Sequence, residues 1–344
     1  MVEIKSPTFK ISNSLLENIQ EVYSNEFACS LEKDKSLAEA ISRTHEFYIQ
    51  NPEAESPWQE QWFQKAYLAY YLPLNHLRAK GVLHRIKNLK AFKDTECIFE
   101  WGSGNGAFSL AALEYNDSLS FQFVEKGKQA IAQHKLLQRD IKDSFKKKAT
   151  DFHRSKDSGG DLLSFCYSLT ESESLPSFVF DFDQILILEP STNQDGRRLM
   201  GYREELIEEG YDVLAPCTHQ HTCPLLKDSK KDWCHDTFFV EYPDYLKNIE
   251  SKIPMRLSNL SVSYLYVSKD YKNPNQGKLR VTGNTLKERG KVRQMVCRSD
   301  EREFLTWFPK RQDVPFIGRG ELVELAEGFS KKSNEIRGEI QEIK

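Results

Sequence analysis

Short apolar segments alternate with longer amphipathic segments from residue 96 onwards. Apolar runs bounded by charges or glycines are typical of strands, whereas apolar residues three or four positions apart are typical of helices. The run 184–189 is almost continuously apolar, as expected for a strand that is buried on both faces. Strands that alternate with helices predict a parallel, doubly wound α/β sheet. The strands predicted for this sheet are 97–100, 119–125, 161–167, 184–189 and 211–214.

The segments on either side of this alternation have different patterns. Residues 1–92 carry apolar positions at helical spacing, which predicts an N-terminal helical region. Residues 93–270 are expected to form the α/β domain, with a cysteine-rich insertion at 215–236. Residues 271–344 are predicted to be β-rich, and their last part, 321–343, to close the chain as an amphipathic, charged helix.

The composition is that of an ordinary globular protein. Of the 344 residues, 39% are hydrophobic and 29% are charged, and no apolar run approaches the roughly 20 residues of a membrane helix. Residues 1–30 are too acidic for a typical mitochondrial transit peptide and too polar for a secretory signal. We therefore expect a cytoplasmic protein of a prokaryote.

Charge is distributed unevenly along the chain. The net charge of −3 provides no global attraction to nucleic acid. Locally, however, residues 126–156 contain ten Lys and Arg against three Asp. A solvated helix face and a phosphate-binding patch both explain this excess.

The first predicted strand leads into a glycine-rich turn, Glu100-Trp101-Gly102-Ser103-Gly104-Asn105-Gly106, and then into a predicted helix. Glycines at such a turn let backbone N–H groups approach a nucleotide-like ligand closely. The spacing Glu-x-Gly-x-Gly-x-Gly is similar to the first motif of S-adenosylmethionine (SAM)-dependent methyltransferases and differs from the Gly-x-Gly-x-x-Gly of dinucleotide enzymes. This similarity makes Glu100, Gly102, Ser103, Gly104 and Gly106 candidate SAM-binding residues. Plain packing is the alternative explanation of such a turn.

Acidic and aromatic residues after the next strands extend this candidate site. Glu125 ends the second predicted strand, where an acid commonly binds ribose hydroxyls; its alternative is a surface carboxylate. Asp151 and Phe152 follow the basic segment and are candidates for flanking an adenine ring. The stretch 167–171 lacks the Asn/Asp-Pro-Pro-aromatic loop of many amine methylases, so no catalytic residue is assigned.

Four of the seven cysteines form a second candidate site. Cys217, Cys223 and Cys234 are close enough in sequence to bind one metal centre through a folded loop, and Cys297 could supply a fourth thiolate. Four thiolates can hold either a tetrahedral zinc or a [4Fe–4S] cluster. Nearby histidines suit zinc, whereas the lack of a Cys-x-x-Cys pair argues against it, and four unligated thiols are the third alternative. The histidines in question are His219, His221 and His235.

The cysteine segment and the residues before it resemble the methyltransferase-like family associated with the small ribosomal subunit, whose mitochondrial members assist small-subunit assembly. The resemblance runs from about residue 67 to residue 297. It departs from the family where Glu-Pro-Ser-Thr-Asn replaces Glu-Pro-Gly-Thr-Pro and Pro-Cys-Thr-His replaces Pro-Cys-Pro-His. Its most specific stretches are Glu189-Pro190-Ser191-Thr192, Gly196-Arg197-Arg198, Val213-Leu214-Ala215-Pro216-Cys217, Cys223-Pro224-Leu225 and Asp232-Trp233-Cys234-His235.

This resemblance implies a Rossmann-like methyltransferase fold. Combined with the patterns described above, it predicts that fold with an N-terminal helical region, a cysteine-rich metal-binding insertion and a β-rich C-terminal part. It also implies SAM binding, contact with small-subunit rRNA, and a [4Fe–4S] cluster held by Cys217, Cys223, Cys234 and Cys297. Three hypotheses follow: an rRNA methyltransferase, an assembly factor that binds SAM and rRNA without methyl transfer, and an iron–sulfur or zinc protein whose glycine turn is only structural.

Overall fold

The structure is a computed structural model that describes residues 3–51, 54–138, 141, 144–152, 161–172 and 174–342. Its N-terminal part is mainly helical, as the sequence predicts, and adds two short strands. The elements of this part are β1 (Glu3–Ile4), β2 (Phe9–Lys10), α1 (Asn13–Phe27), α2 (Leu37–Gln50), α3 (Gln61–Ala66), α4 (Leu72–Ile86) and α5 (Lys90–Lys93).

Local sequence explains where these helices begin and which face they bury. Helix α1 begins after Ser12, whose hydroxyl accepts a hydrogen bond from the Leu15 N–H group at 3.4 Å, as an N-cap should. Helices α3 and α4 form one continuous path, because a π-helical turn at Tyr67–Tyr71 joins them. Pro73 lies in the first turn of α4, a position at which proline is compatible with a helix.

The central part is an α/β domain built on one sheet. Its elements are β3 (Cys97–Trp101), α6 (Ala107–Leu113), β4 (Ser120–Val124), α7 (Lys128–Leu137), β5 (Phe145–Lys146), β6 (Asp161–Cys166), β7 (Gln184–Glu189), α8 (Asn193–Glu208), β8 (Asp212–Ala215), α9 (Pro224–Asp228), β9 (Asp236–Phe238), β10 (Val240–Glu241), α10 (Asp244–Glu250) and β11 (Leu260–Ser268).

The strand order of this sheet is β5-β4-β3-β6-β7-β11-β8. Strands β3 to β7 run parallel to their neighbours, whereas β11 is antiparallel to both β7 and β8. Counted along the chain, the order is 3-2-1-4-5-7-6, so the chain reverses direction on either side of β3 as in a doubly wound sheet. The predicted Rossmann-like α/β architecture is therefore confirmed.

Both faces of the sheet are covered. In β7, Leu186 packs with the N-terminal helices and α6, whereas Ile185 and Ile187 pack on the opposite face with α8. This alternation explains the continuously apolar sequence of the strand, because successive side chains enter two different cores. The carboxyl ends of β3, β4 and β6 are thereby held at one edge, where ligands of such sheets bind.

The C-terminal part is a barrel of short strands. Its strands are β12 (Leu279–Val281), β13 (Leu286–Glu288), β14 (Lys291–Cys297), β15 (Glu303–Trp307), β16 (Phe316–Ile317), β17 (Leu322–Leu325), β18 (Ser330–Lys332), β19 (Glu335–Arg337) and β20 (Ile340–Glu342). Pairing runs from β12 through β14 and β15 to β19, and from β20 through β17 back to β12. A separate apolar core fills its interior.

The closing helix predicted for 321–343 is wrong, because β17 to β20 occupy this segment. Gly328 and Ser333 have left-handed backbone angles, with φ of 83° and 54°, which interrupt any helix. The mixture of charged and apolar residues arises because one side of each short barrel strand faces solvent. Spacing over such short runs does not separate the two structures.

Two buried arginines and two carboxylates join the three parts of the chain. Arg85 of α4 donates two hydrogen bonds to Glu321, at 2.6 and 3.0 Å, and its Nε lies 3.3 Å from Asp236 at the start of β9. Arg280 of β12 pairs with the other oxygen of Asp236, which is fully buried. Burial alone would lower the pKa of Arg85, but Asp236 and Glu321 raise it above its usual value. Each charge in this network is therefore compensated by its partners, and loss of one partner would leave a buried charge unpaired.

Part of the basic segment 126–156 lies outside the described residues, namely 139–140, 142–143 and 153–156. The described part contains α7 and β5. Among the described residues, no helix is both long enough and apolar enough to cross a membrane.

A glycine pair tests the importance of Asp236. Gly320 has φ of +92°, and a Cβ atom there would overlap the Asp236 carboxylate; Gly290 has φ of +80°, and a Cβ atom would meet nothing within 4 Å. Gly290→Ala should cost about 1 kcal/mol of unfolding free energy through backbone strain alone. Gly320→Ala should cost about 3 kcal/mol or more, because it also displaces a buried charge. Denaturant unfolding of both variants measures the difference; equal losses would contradict a stabilising network.

Candidate functional site

The glycine-rich turn leaves the carboxyl end of β3 and enters α6. Gly102, Gly104 and Gly106 all have left-handed backbone angles, with φ of 71°, 54° and 91°. A Cβ atom on Gly102 would lie 2.5 Å from the Ser168 Cβ atom, and one on Gly106 would overlap the His134 ring. One on Gly104 would have only ordinary contacts, at 3.7 Å from Trp58. Two glycines therefore allow tight packing, and Gly104 borders open space.

Glu125 braces this turn. Its Oε2 atom accepts a hydrogen bond from the Gly104 N–H group and its Oε1 atom one from the Gly127 N–H group, both at 2.7 Å. Burial is the largest influence on the pKa of Glu125 and raises it, while these two hydrogen bonds act in the opposite direction. The carboxylate therefore lies beside the turn, as the sequence predicts, and its ribose-binding role stays a prediction.

Glu100 and Ser103 lie beneath the turn. Glu100 is 1% exposed, and among the described residues its Oε2 atom has no hydrogen-bond partner. Burial first, and then the charge of Glu125, raise the pKa of Glu100 well above its usual value. The Ser103 hydroxyl is likewise buried without a described partner. A buried polar atom without a partner is costly, so these groups are candidates to meet a ligand or water.

A cavity of about 470 Å³ opens beside the turn. This volume is within the range of small-molecule sites. Of the candidate residues, Gly102, Gly104 and Glu125 line it, whereas Glu100, Ser103 and Gly106 lie behind this wall. Its other walls include Trp58 and Tyr67 from the N-terminal part, Trp101 of β3, Lys126 and Lys128 beyond β4, and Cys166, Tyr167 and Ser168 at the end of β6.

Several of these wall residues were missed by sequence analysis. Trp58 and Tyr67 belong to an aromatic cluster, with ring centroids 4.7 Å apart, and periodicity identifies them only as core residues. Their place over Gly104 depends on how the helices dock on the sheet. Tyr167 has a sequence signal, since it directly follows a strand; its φ is +61°, and its buried hydroxyl has no described hydrogen-bond partner.

The adenine-flanking role expected of Asp151 and Phe152 is not supported. Phe152 is buried and packs against Phe99 and Phe182, with ring centroids at 5.1 and 6.3 Å. Neither Asp151 nor Phe152 lines the cavity. An apolar residue after a basic segment can pack in a hydrophobic core or line a ligand site. Phe152 packs in the core.

The four candidate cysteines come from separate elements and line one small pocket of about 30 Å³. Cys217 follows β8, Cys223 precedes α9, and Cys234 precedes β9. Cys297 ends β14, a strand of the C-terminal barrel. The sequence grouping of these four thiols therefore corresponds to a spatial grouping.

Nitrogen donors surround the thiols. The Arg203 Nε atom lies 3.2 Å from the Cys217 sulfur, and the Arg280 Nη1 atom lies 3.0 Å from the Cys234 sulfur. The His219 Nε2 atom lies 3.2 Å from the Cys297 sulfur. Both arginines are buried, so the pocket combines four sulfurs with two fixed positive charges.

The protonation of the thiols depends on what they bind. Burial, and then the neighbouring Cys217 and Cys234, raise the pKa of Cys223 to about 12. Burial and the other three thiols also raise the pKa of Cys297 well above its usual value. Cys223 and Cys297 are therefore neutral thiols unless a cation binds, because thiolates in one pocket repel each other. Metal ligation requires their deprotonation.

Among the described residues, no group of three or more His, Cys, Asp or Glu side chains is arranged so that it could hold a metal ion. Among the nearby histidines, His219 faces a sulfur, whereas His235 contacts Arg319 at 2.7 Å. The prediction that the insertion 215–236 binds a metal ion is therefore not supported.

Glu189, at the end of β7, supports the cavity wall from inside the sheet. Its Oε1 atom accepts a hydrogen bond from the Leu169 N–H group at 3.2 Å, directly after Ser168 of the wall. Its Oε2 atom lies 3.6 Å from Arg198. Burial raises the pKa of Glu189 to about 8, although Arg198 counteracts this effect. Between pH 4.5 and about pH 8, Glu189 therefore keeps a proton in the folded protein that it releases in the unfolded chain.

Glu189 should make stability depend on pH. Because its folded pKa is raised from 4.5 to about 8, stability falls as pH rises through that range. Glu189→Gln removes this dependence, so the stability of wild type relative to the variant should decrease between pH 5 and pH 8. Denaturant unfolding at both pH values measures it. Exposed Glu208→Gln is the control and should leave the pH profile unchanged; a constant difference between wild type and Glu189→Gln would refute the assignment.

Comparison with solved structures gives low similarities to methyltransferases. A candidate RNA methyltransferase of Pyrococcus horikoshii is 15% identical, with a TM-score of 0.36, over 68% of this chain and 98% of that protein. Magnesium protoporphyrin IX methyltransferase of Synechocystis, with S-adenosylhomocysteine bound, is 8% identical, with a TM-score of 0.33, over 68% and 98%. A SAM-dependent methyltransferase of Geobacter sulfurreducens is 12% identical, with a TM-score of 0.31, over 55% and 90%. Sequence identities and TM-scores this low support no conclusion about the function of this chain.

Comparison with whole families is more informative. No curated protein matches the chain. The family model described as mitochondrial small ribosomal subunit Rsm22 matches residues 63–319. This range covers the whole α/β domain, the cysteine segment and much of the barrel. The chain therefore belongs to the mitochondrial small ribosomal subunit Rsm22 family.

Proposed function

We propose that this chain is a SAM-dependent methyltransferase-type protein of the small ribosomal subunit, which binds or acts on rRNA during subunit assembly. The observation that carries the SAM part is the cavity at the carboxyl ends of β3 and β4. Left-handed Gly102 and Gly104 line it without side chains, and Glu125 borders it. Family membership supports the ribosomal part.

The charges and topology of the cavity suit SAM. SAM carries a positively charged sulfonium, which supplies the methyl group, and an ammonium group. The carboxyl group of Glu125 lines the cavity, and a bound cation would favour the ionised form of Glu125 and of the buried Glu100 behind it. Strand β11, reversed beside the last parallel strand, distinguishes the sheet from the 3-2-1-4-5-6 order of dinucleotide-binding proteins and is typical of Rossmann-like methyltransferases.

The acceptor side favours a second candidate function, a SAM-binding assembly factor without methyl transfer. Tyr167 and Ser168 form the wall after β6, where a methyl acceptor is expected. The Ser168 hydroxyl donates a hydrogen bond to the Trp101 carbonyl at 2.7 Å, and Cys166 is a buried thiol whose pKa is raised. None of these groups is a ready general base.

We further propose that Cys217, Cys223, Cys234 and Cys297 hold a [4Fe–4S] cluster. The donor set fits, because four sulfurs line one pocket and thiolates are the ligands of such clusters. Arg203 and Arg280 would offset the negative charge of a thiolate-bound cluster. Such a cluster would supply rigidity or electron transfer.

The division of the chain follows these proposed sites. We propose a helical region at 1–92, a SAM-binding domain at 93–270 with the cysteine-rich insertion 215–236, and a β-rich part at 271–344. The helical region supplies Trp58 and Tyr67 to the cavity, and the β-rich part supplies Cys297 to the cysteine pocket. We propose the cytoplasm as the place of action.

Substitution of Gly104 tests SAM binding. Its Cβ position has no close protein contact, so Gly104→Asp fills the cavity and adds a negative charge near Glu125. We expect wild type to bind SAM in isothermal titration calorimetry and Gly104→Asp to lose at least tenfold in affinity. Gly210→Asp is the control, because it has a similar φ of +87° and no contact within 4 Å. A wild-type protein that does not bind SAM would overturn the proposal.

Comparison of small-subunit rRNA modifications with and without the gene then separates the two candidate functions. A missing methyl group that returns with wild type, but not with Gly104→Asp, supports an enzyme. Identical modification combined with defective subunits supports an assembly factor.

Substitution of Cys297 tests the cluster. Anaerobic purification of wild type should give about four irons per chain and broad absorption near 400 nm. Cys297→Ser should lose most of both, because one of the four ligands is replaced. Cys29→Ser, at a partly buried thiol outside the pocket, should retain them. A colourless wild-type protein with one zinc would refute the cluster and favour the tetrahedral alternative.

A further inference from the structure

The C-terminal barrel has the strand order of an oligonucleotide-binding fold. Strands β12, β14 and β15 form an antiparallel meander, and β17 pairs back onto β12. The last strand is split into β19, which runs parallel to β15, and β20, which pairs with β17. The order around the barrel is therefore 1-2-3-5-4-1, a closed five-stranded Greek-key barrel. This is the arrangement of the OB-fold.

The barrel has no room for a ligand inside. Its interior is packed with apolar side chains, including Val281, Val292, Leu305 and Trp307. Binding must therefore take place on its outer surface. In OB-folds the face of the second and third strands and the adjacent loops bind single strands.

The outer face of β14 and β15 carries aromatic rings beside arginines. The guanidinium of Arg293 lies 4.8 Å from the centroid of the Phe304 ring. Phe308 lies four residues further along the chain, and the guanidinium groups of Arg337 and Arg311 lie 5.1 and 5.8 Å from the centroid of its ring. Both phenylalanines are only half-buried. Rings and guanidinium planes of this kind stack on nucleic-acid bases without requiring a particular sequence.

Positive charges remain available around these rings. Arg293 and Arg337 are paired with Glu288 and Glu335, respectively. Other exposed cations have no acidic partner within 4 Å among the described residues. These are Lys287 in β13, Arg289 between β13 and β14, Lys310 and Arg311 after β15, and Lys332 in β18. Such cations can contact phosphates on either side of stacked bases.

We propose that this barrel face, defined by Phe304, Phe308, Arg293 and Arg311, binds an unpaired segment of RNA. Bases stack on Phe304 and Phe308, and the surrounding cations contact the backbone. The choice of RNA rests on the proposed function in the small ribosomal subunit. The face is separate from the SAM cavity, so the chain would hold its RNA with one part and its small ligand with another.

The test measures fluorescence anisotropy of a labelled, unstructured 12-nucleotide RNA with the full-length chain. The double variant Phe304→Ala, Phe308→Ala should weaken binding tenfold or more, because each lost stack weakens binding severalfold or more. The control Phe316→Ala removes a ring that is 40% exposed elsewhere on the barrel and should bind like wild type. Lys310→Glu with Arg311→Glu should reduce the salt dependence of binding.

Each outcome decides a different point. Unchanged binding by the double variant, with wild type binding well, would overturn the barrel-face proposal and leave the ribosomal function standing. Equal affinity of wild type for a 12-base-pair RNA duplex would also overturn it, because paired bases cannot stack on the rings. Wild type that binds neither RNA would overturn both the barrel-face proposal and the rRNA part of the proposed function. SAM affinity and thermal unfolding of each variant should match wild type, which excludes misfolding as the cause.

Discussion

The carboxylate of Asp236 is the point through which the three parts of the protein are connected. It is fully buried between Arg85 of the helical region and Arg280 of the barrel. Glu321 completes the group and also accepts hydrogen bonds from the Ser6 N–H and hydroxyl groups, at 2.6 and 2.8 Å. Removal of any one partner would leave an uncompensated buried charge, which is far costlier than the loss of a surface pair. Docking of the three parts is therefore mutually dependent.

The same arginine joins this network to the cysteine pocket. Arg280 contacts both Asp236 and the Cys234 sulfur. Cys234 itself lies two residues before Asp236. A change in charge among the four sulfurs would consequently act on an arginine that also holds the helical region and the barrel together. Ligation in the pocket and interdomain packing are thus coupled through one side chain.

Much of the α/β core could be predicted from the sequence. The strands β3, β4, β6, β7 and β8 each have a signal in the sequence, and that of β7 is the clearest, because burial on both faces leaves it almost continuously apolar. The glycine turn was recognisable because close packing against Ser168 and His134 allows no Cβ atom. The four cysteines were recognisable as a group because thiols with this spacing have few other uses.

The barrel and the outer wall of the cavity could not be predicted in the same way. Strands of three residues, such as β18 and β19, are too short for periodicity to distinguish them from a helical turn. They are fixed by pairing with strands distant in the sequence. Trp58 and Tyr67 likewise reach Gly104 only through the docking of helices on the sheet, which no local pattern encodes.

The position of Cys297 makes completion of the cysteine pocket depend on the barrel. Three of its sulfurs belong to the α/β domain, and the fourth lies on β14 of the barrel, which is synthesised after them. A group that requires all four sulfurs can bind only after the barrel has emerged, folded and docked. A chain whose barrel has not docked would therefore have an incomplete pocket, whatever the four sulfurs bind.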